Sequence, residues 1–221
     1  MSATALVLAN LVIVLLALLR AWGFYELILV YWCEALVVGA YTIARMVAVG
    51  LDGEPLGKWV AVEGALNRLF VLALALGLFL VKFGGFALGL GLLVALVPAF
   101  LSSDPDAKGM QVLRALDAVG PGVAVAVAAL ALSHGISFVM NFLRRGEFRR
   151  TNLLVLLFLP YVRMSLVMVT LAAGIVAAAL LPSFAASAVF GIVVALVKTG
   201  ADLVMHRLEH AVVSEGGDAP R

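Results

Sequence analysis

The sequence predicts an all-α, polytopic transmembrane helix bundle of about six spans with both termini in the cytoplasm. Three observations lead there. Of 221 residues, 65% are apolar and 13% are charged, against about 45–50% and about 25% in soluble domains. The apolar residues fall into runs that approach or exceed the roughly 20 residues a helix needs to cross a hydrocarbon core. No alternation of ten-residue strands recurs, so a barrel is excluded and helices remain the only spanning structure.

This composition also excludes an ordinary soluble globule, a disordered chain and a disulfide scaffold. A formal charge of +2 is too small for a nucleic-acid binder, and the expected partner is the lipid bilayer. The single cysteine, Cys33, rules out an internal disulfide and a cysteine-built zinc cage. Its apolar neighbours make it a small buried hydrophobe.

The first run, 3–19, is short. It lacks the basic leader and A-x-A cleavage site of a signal peptide, so it is read as a retained span. The second span is 24–46. The third run, 69–101, is too long for one upright crossing at about 1.5 Å per residue, yet short for two with a turn. Gly84-Gly85 and the Gly-x-Gly at 89–91 predict a kinked or tilted helix, and Pro98 a frayed end; one crossing or two is left open. The fourth span is 122–143. The fifth is 152–181, with a kink at Pro160, and the sixth is 183–206, its helix continuing to His210. Segments 47–67 and 102–121 read as polar loops, and 211–221 as a flexible tail. The whole is one integral membrane domain.

Orientation follows from Lys and Arg in the connecting segments. Six spans place both termini on one side with the second and fourth loops. Arg45, Lys58, Arg68, Arg144, Arg145, Arg149, Arg150, Arg207 and Arg221 gather there, against Arg20, Lys108 and Arg114 opposite. The basic side is the cytoplasmic one, which makes this an integral protein of the cytoplasmic membrane. RRGEFRR in the fourth loop is first a topology determinant, and second a patch for anionic lipid or an acidic partner.

Ionisable residues inside spans are costly in hydrocarbon, so each is a candidate functional group. Counting along the helices puts Glu34 about 15 Å deep, Arg163 about 17 Å, His134 about 18 Å and Lys82 about 20 Å. All four fall near the midplane of a core about 30 Å thick. Sharing one polar centre is their lowest-cost arrangement, with Glu34 pairing with Arg163 or Lys82. Two cations against one carboxylate would leave a surplus positive charge that an anionic ligand could balance. Tyr31, Trp32 and Tyr161 flank this level. The bland alternative is a set of ion pairs that only fixes helix register.

The last span ends in a polar stripe. At 100° per residue Lys198, Asp202, His206 and Glu209 share one face, and Lys198 and Asp202, four apart, can pair locally. His206-Arg207-Leu208-Glu209-His210 spells H-x-x-E-H, in which two histidines one turn apart can hold zinc beside a glutamate base. A divalent metal is therefore a candidate cofactor, with a third ligand required from elsewhere. The same stripe is equally the polar end of a helix leaving the membrane. A serine protease of the rhomboid kind, built on Ser133 or Ser137 with His206, fits poorly: G-x-S-G is absent and the two groups lie at different depths.

Four segments, YWCEALVVG at 31–39, SHGISFVMNFLRRGEFRR at 133–150, PYVRM at 160–164 and LVKTGADLVMHRLEH at 196–210, together resemble the domain-of-unknown-function family 6498. The resemblance implies a multi-span membrane protein and nothing catalytic. It extends to Glu34, His134, Arg163, Lys198, Asp202 and His206. Relatives tend to carry histidine near Lys82 and where this chain has Met168, two departures that put any shared metal site in doubt. The leading expectation is small-solute, ion or proton handling through the intramembrane cluster. Metal binding or metallohydrolysis at the H-x-x-E-H, and a non-catalytic accessory subunit, are the alternatives. Small residues in span six, Ala185, Ala186, Ser187, Ala188 and Gly191, would permit a homo-oligomer.

Overall fold

The computed structural model describes residues 3–19, 22, 24–52, 55–56, 62–101, 120–180, 193–194 and 196–200. Among the described residues it is all helical, without strands. Helix α1 is Ala3–Leu19, α2 is Phe24–Asp52, α3 is Ala65–Phe79, α4 is Gly85–Leu101, α5 is Pro121–Ser137 and α6 is Leu153–Leu180. Residues 193–194 and 196–200 are also helical. Three helical rods, Tyr25–Asp52, Ala65–Leu96 and Pro121–Leu143, are long and apolar enough to cross a membrane.

Several boundaries differ from those expected. Helix α2 runs six residues past Met46, through what reads as a loop. Val47 to Leu51 contain no proline or polar breaker, and Met46, Val49 and Gly50 are buried, Gly50 against Leu72. The third rod starts at Ala65, four residues early, behind Gly64 at φ 83°. It does not break at Gly84-Gly85. A π-turn at Leu80–Gly84 joins α3 to α4, and Gly85 keeps helical angles of −60° and −44°. The long apolar run is thus one continuous rod, and the wider turn absorbs the mismatch locally. A second π-turn, Phe138–Leu143, extends α5, closed by the Arg144 N–H on the Val139 carbonyl at 3.0 Å. Gly146, at φ 71°, then turns the chain into a short 3-10 helix at Glu147–Arg149. Asn152 caps α6, its Oδ1 accepting from the Val155 N–H at 3.0 Å. Pro160 stays within α6.

Helix α2 is the hub, packing on α3, α4, α5 and α6, while α1 lies against α5. Two apolar cores are stacked along it. The first joins Leu27 to Tyr31 of α2 with Ile13 and Ala17 of α1, Leu90 and Val94 of α4, and Val123, Ala126 and Leu130 of α5. The second joins Ala35, Met46 and Val49 of α2 with Leu72, Ala75 and Phe79 of α3, Phe83 of the π-turn, Phe142, and Leu153, Leu156 and Met164 of α6. Helices α2 and α5 pass from the first core to the second, whereas the α3–α4 rod passes back. The α3–α4 rod is thus antiparallel to α2 and α5, which run the same way.

Apolar helices pack closely where small residues let their backbones approach. Glycines supply that approach here. An added Cβ at Gly91 would lie 2.5 Å from the Trp32 ring, and one at Gly135 would lie 2.6 Å from the Tyr41 hydroxyl. Trp32 Nε1 donates to the Ala87 carbonyl at 2.9 Å, and the Tyr41 hydroxyl donates to the Ala131 carbonyl at 3.0 Å. Each acceptor lies four residues before the glycine, in the matching spellings ALGLG and ALSHG. Without a side chain at i+4, the carbonyl at i is open to a second donor from α2. The two clamps tie α2 to α4 on one side and to α5 on the other.

Candidate functional site

Glu34 sits on α2 between Tyr31 of the first core and Ala35 of the second, so it is held at the seam between two apolar blocks. It is 4% exposed. Among the described residues, two groups lie at its carboxylate. Lys198, 8% exposed, donates from Nζ to Oε2. His134 of α5, 4% exposed, places Nε2 3.8 Å from Oε1. The Lys198 ammonium also lies 5.1 Å from the centre of the Tyr31 ring, which adds a cation–π contact. On the other side the Tyr41 ring stands 6.3 Å from that of His134, so the clamp at Gly135 also sets the imidazole's neighbourhood.

Buried charge is tolerated only where it is paired and hydrogen-bonded. Here one carboxylate is shared by an ammonium and an imidazole from two other segments. Helix α5 adds a buried polar face: Ser133, His134, Ser137 and Asn141 are all within one-tenth exposure. The spacing of these residues keeps them on the side of α5 turned to α2. The Ser133 hydroxyl has no hydrogen-bond partner among the described residues, which leaves an open polar position beside His134.

Of the four groups expected to share one centre, Glu34 and His134 meet. Lys82 does not join Glu34. It is exposed on the outer side of the π-turn, while its neighbour Phe83 turns inward onto Gly39. Lys198, expected to pair with Asp202, takes that place, because the segment at 196–200 runs beside α2 at the depth of Glu34. Arg163 lies on α6 by its backbone. Lys198 thus stands where Lys82 was expected, as the ammonium beside Glu34. Tyr161 packs instead between Phe83 and Phe86, with ring centres 6.3 Å away in each case. Met168 is exposed on α6.

Asp202, His206, Glu209 and His210 lie outside the described residues. Among the described residues no group of three or more His, Cys, Asp or Glu side chains could hold a metal ion. Sequence reasoning missed Asn10, buried in α1 one turn before Ile13; a lone asparagine in an apolar run was its signal. It also missed the Trp32 and Tyr41 clamps, whose signal was the repeated Ala-Leu-x-x-Gly.

No curated protein and no solved structure matches the chain. Residues 1–216 match the family of unknown function DUF6498. That match takes in nearly the whole sequence, and the chain belongs to this family.

Proposed function

We propose that this protein crosses the cytoplasmic membrane six times with both termini inside, and that Glu34, His134 and Lys198 form a proton-binding centre through which it handles protons or a small ion or solute coupled to them. One observation carries the reading. A single buried carboxylate is contacted on one oxygen by an ammonium and approached on the other by an imidazole. All three groups exchange protons, and His does so nearest neutrality. In a low-dielectric seam their charges are strongly interdependent. Protonating Glu34 would remove the counter-charge of Lys198, so the centre must then release a proton from Lys198 or separate the two segments. Proton occupancy is thereby coupled to the contact between α2 and residues 196–200. The open Ser133 hydroxyl supplies a position for a water or a ligand oxygen next to the imidazole.

Purified protein in liposomes loaded with a pH-sensitive dye tests this. A pH gradient should collapse faster with the wild-type chain than without protein, and Glu34→Gln should bring the rate back to the protein-free level. Lys82→Met should leave it unchanged. Infrared difference spectra across the same pH step should show a carboxyl band absent from Glu34→Gln. Wild-type flux in a folded Glu34→Gln variant, or no Glu34-dependent band and no flux at all, would remove the proposal.

A further inference from the structure

The outward face of the α3–α4 rod is built unlike the rest of the surface. Leu78, Lys82, Gly85, Gly89 and Leu92 are all exposed. They follow one another along the exposed side of the rod, Leu78 before the π-turn, Lys82 within it, and Gly85, Gly89 and Leu92 after it. An added Cβ at Gly85 or Gly89 would meet nothing within 4 Å, and the same holds at Gly77 and Gly84. At Gly39, Gly91 and Gly135 the equivalent space is filled by a ring of a neighbouring helix. The face therefore has the same small-residue opening as the packed seams, with none of the described helices laid into it. In its middle, flanked by Leu78, Val81 and Leu88, stands the ammonium of Lys82, with no hydrogen-bond or ion-pair partner among the described residues. Its neighbour Phe83 meets Gly39, only five residues past Glu34 on α2. Lys82 is thus inside the apolar belt, where an unpaired charge is costly.

We propose that this face docks a transmembrane helix of another protein, one that carries an Asp or Glu at the depth of Lys82. Charge complementarity selects this occupant. A second copy brought up by two-fold symmetry through the same face would set Lys82 against its own counterpart. A second copy using a different face would need an exposed carboxylate in the apolar belt. Among the described residues the exposed carboxylates are Asp52 and Glu63, at the end of α2 and just before α3. Glu34 is buried and already engaged by Lys198. A foreign carboxylate would neutralise Lys82, and the open glycines at 85 and 89 would let the two backbones come close enough for the contact to be dry.

The probe is a synthetic apolar helix of Leu and Ala with one central Asp, labelled for energy transfer and co-reconstituted with the full-length chain in neutral-lipid vesicles. It should associate roughly tenfold more tightly than the same helix with Leu in place of Asp, the scale of one interhelical polar contact in lipid. Lys82→Met should abolish the difference, and Gly85→Leu should weaken binding of both peptides. Neither position is packed against another described helix, so both variants should melt like the wild type. Equal binding of the Asp and Leu helices would overturn the proposal. So would self-association of the chain that survives Lys82→Met but is lost in Gly85→Leu, which would assign the face to a second copy. A Lys82 requirement seen only in anionic vesicles would assign the ammonium to lipid phosphate. Glu34 takes no part in these measurements, so their outcome is independent of the proton-binding reading.

Discussion

Two lysines interrupt the apolar segments of this chain, and they have opposite fates. Lys198 is 8% exposed, donates to Glu34 and sits over Tyr31. Lys82 stands on the outer face of a rod, with apolar side chains on both sides of it. Their local sequences, LVKTG and LVKFG, match at four of five positions. Nothing within either pentapeptide determines which lysine turns inward. The difference lies in what each helix faces: residues 196–200 run beside α2, the most enclosed helix, whereas the π-turn directs Phe83 toward α2 and Lys82 away from it. A charge in an apolar segment is thus settled by the neighbouring helix, and the same residue type yields an internal ion pair in one place and a docking determinant in the other.

The sharpest way to break this comparison is to remove the shared carboxylate. Glu34→Ala leaves Lys198 buried without its counter-charge, and should destabilise the detergent-solubilised protein by about 3–5 kcal/mol. Replacing the pair together, as Glu34→Leu with Lys198→Met, should recover most of that loss, because two uncharged side chains need no partner. Thermal unfolding of the single and double variants checks both. A Glu34→Ala protein as stable as the wild type would mean that Lys198 is no more confined than Lys82.

A smaller effect is expected where a ring rests on a glycine. Gly135→Ala places a methyl group within contact distance of the Tyr41 hydroxyl, so the clamp to Ala131 must open. Overpacking of this kind costs about 1–3 kcal/mol, and here it should also disturb His134. Gly85→Ala, on the open face, should cost a few tenths of a kcal/mol or add stability through helix propensity. Similar melting of the two variants would show that the seams and the outer face do not differ in packing. The smallest effect belongs to Lys82→Met, within about 0.5 kcal/mol for the isolated protein, as for surface positions in general.

Much of this was legible in the chain. Runs of apolar residues mark helices because every backbone group must be satisfied within the segment. Glu34 and His134 stand out because charge and imidazole are rare and costly there. Arg163 stands out for the same reason and lies on α6. The continuity of the third rod was not legible: Gly84-Gly85 is compatible with a break, a kink or a π-turn, and the packing of Phe79 and Phe83 against the second core selects the last. Nor could the end of α2 be placed, since Val47 to Leu51 become helical through burial against α3 and not through any capping residue. Lys82 was misplaced because depth along a helix can be counted, whereas rotation about the axis depends on neighbours and on any π-turn in between.

The amino-acid order by itself determined the helical class, the approximate places of the apolar rods and the presence of ionisable groups within them. These follow from the length and polarity of each segment, which act within a single helix. Only the tertiary structure decided that α2 is the hub, that Glu34 is shared by Lys198 and His134, and that Lys82 is left on the outside. Those outcomes depend on which faces meet, and a face is chosen by close packing between helices distant in the chain.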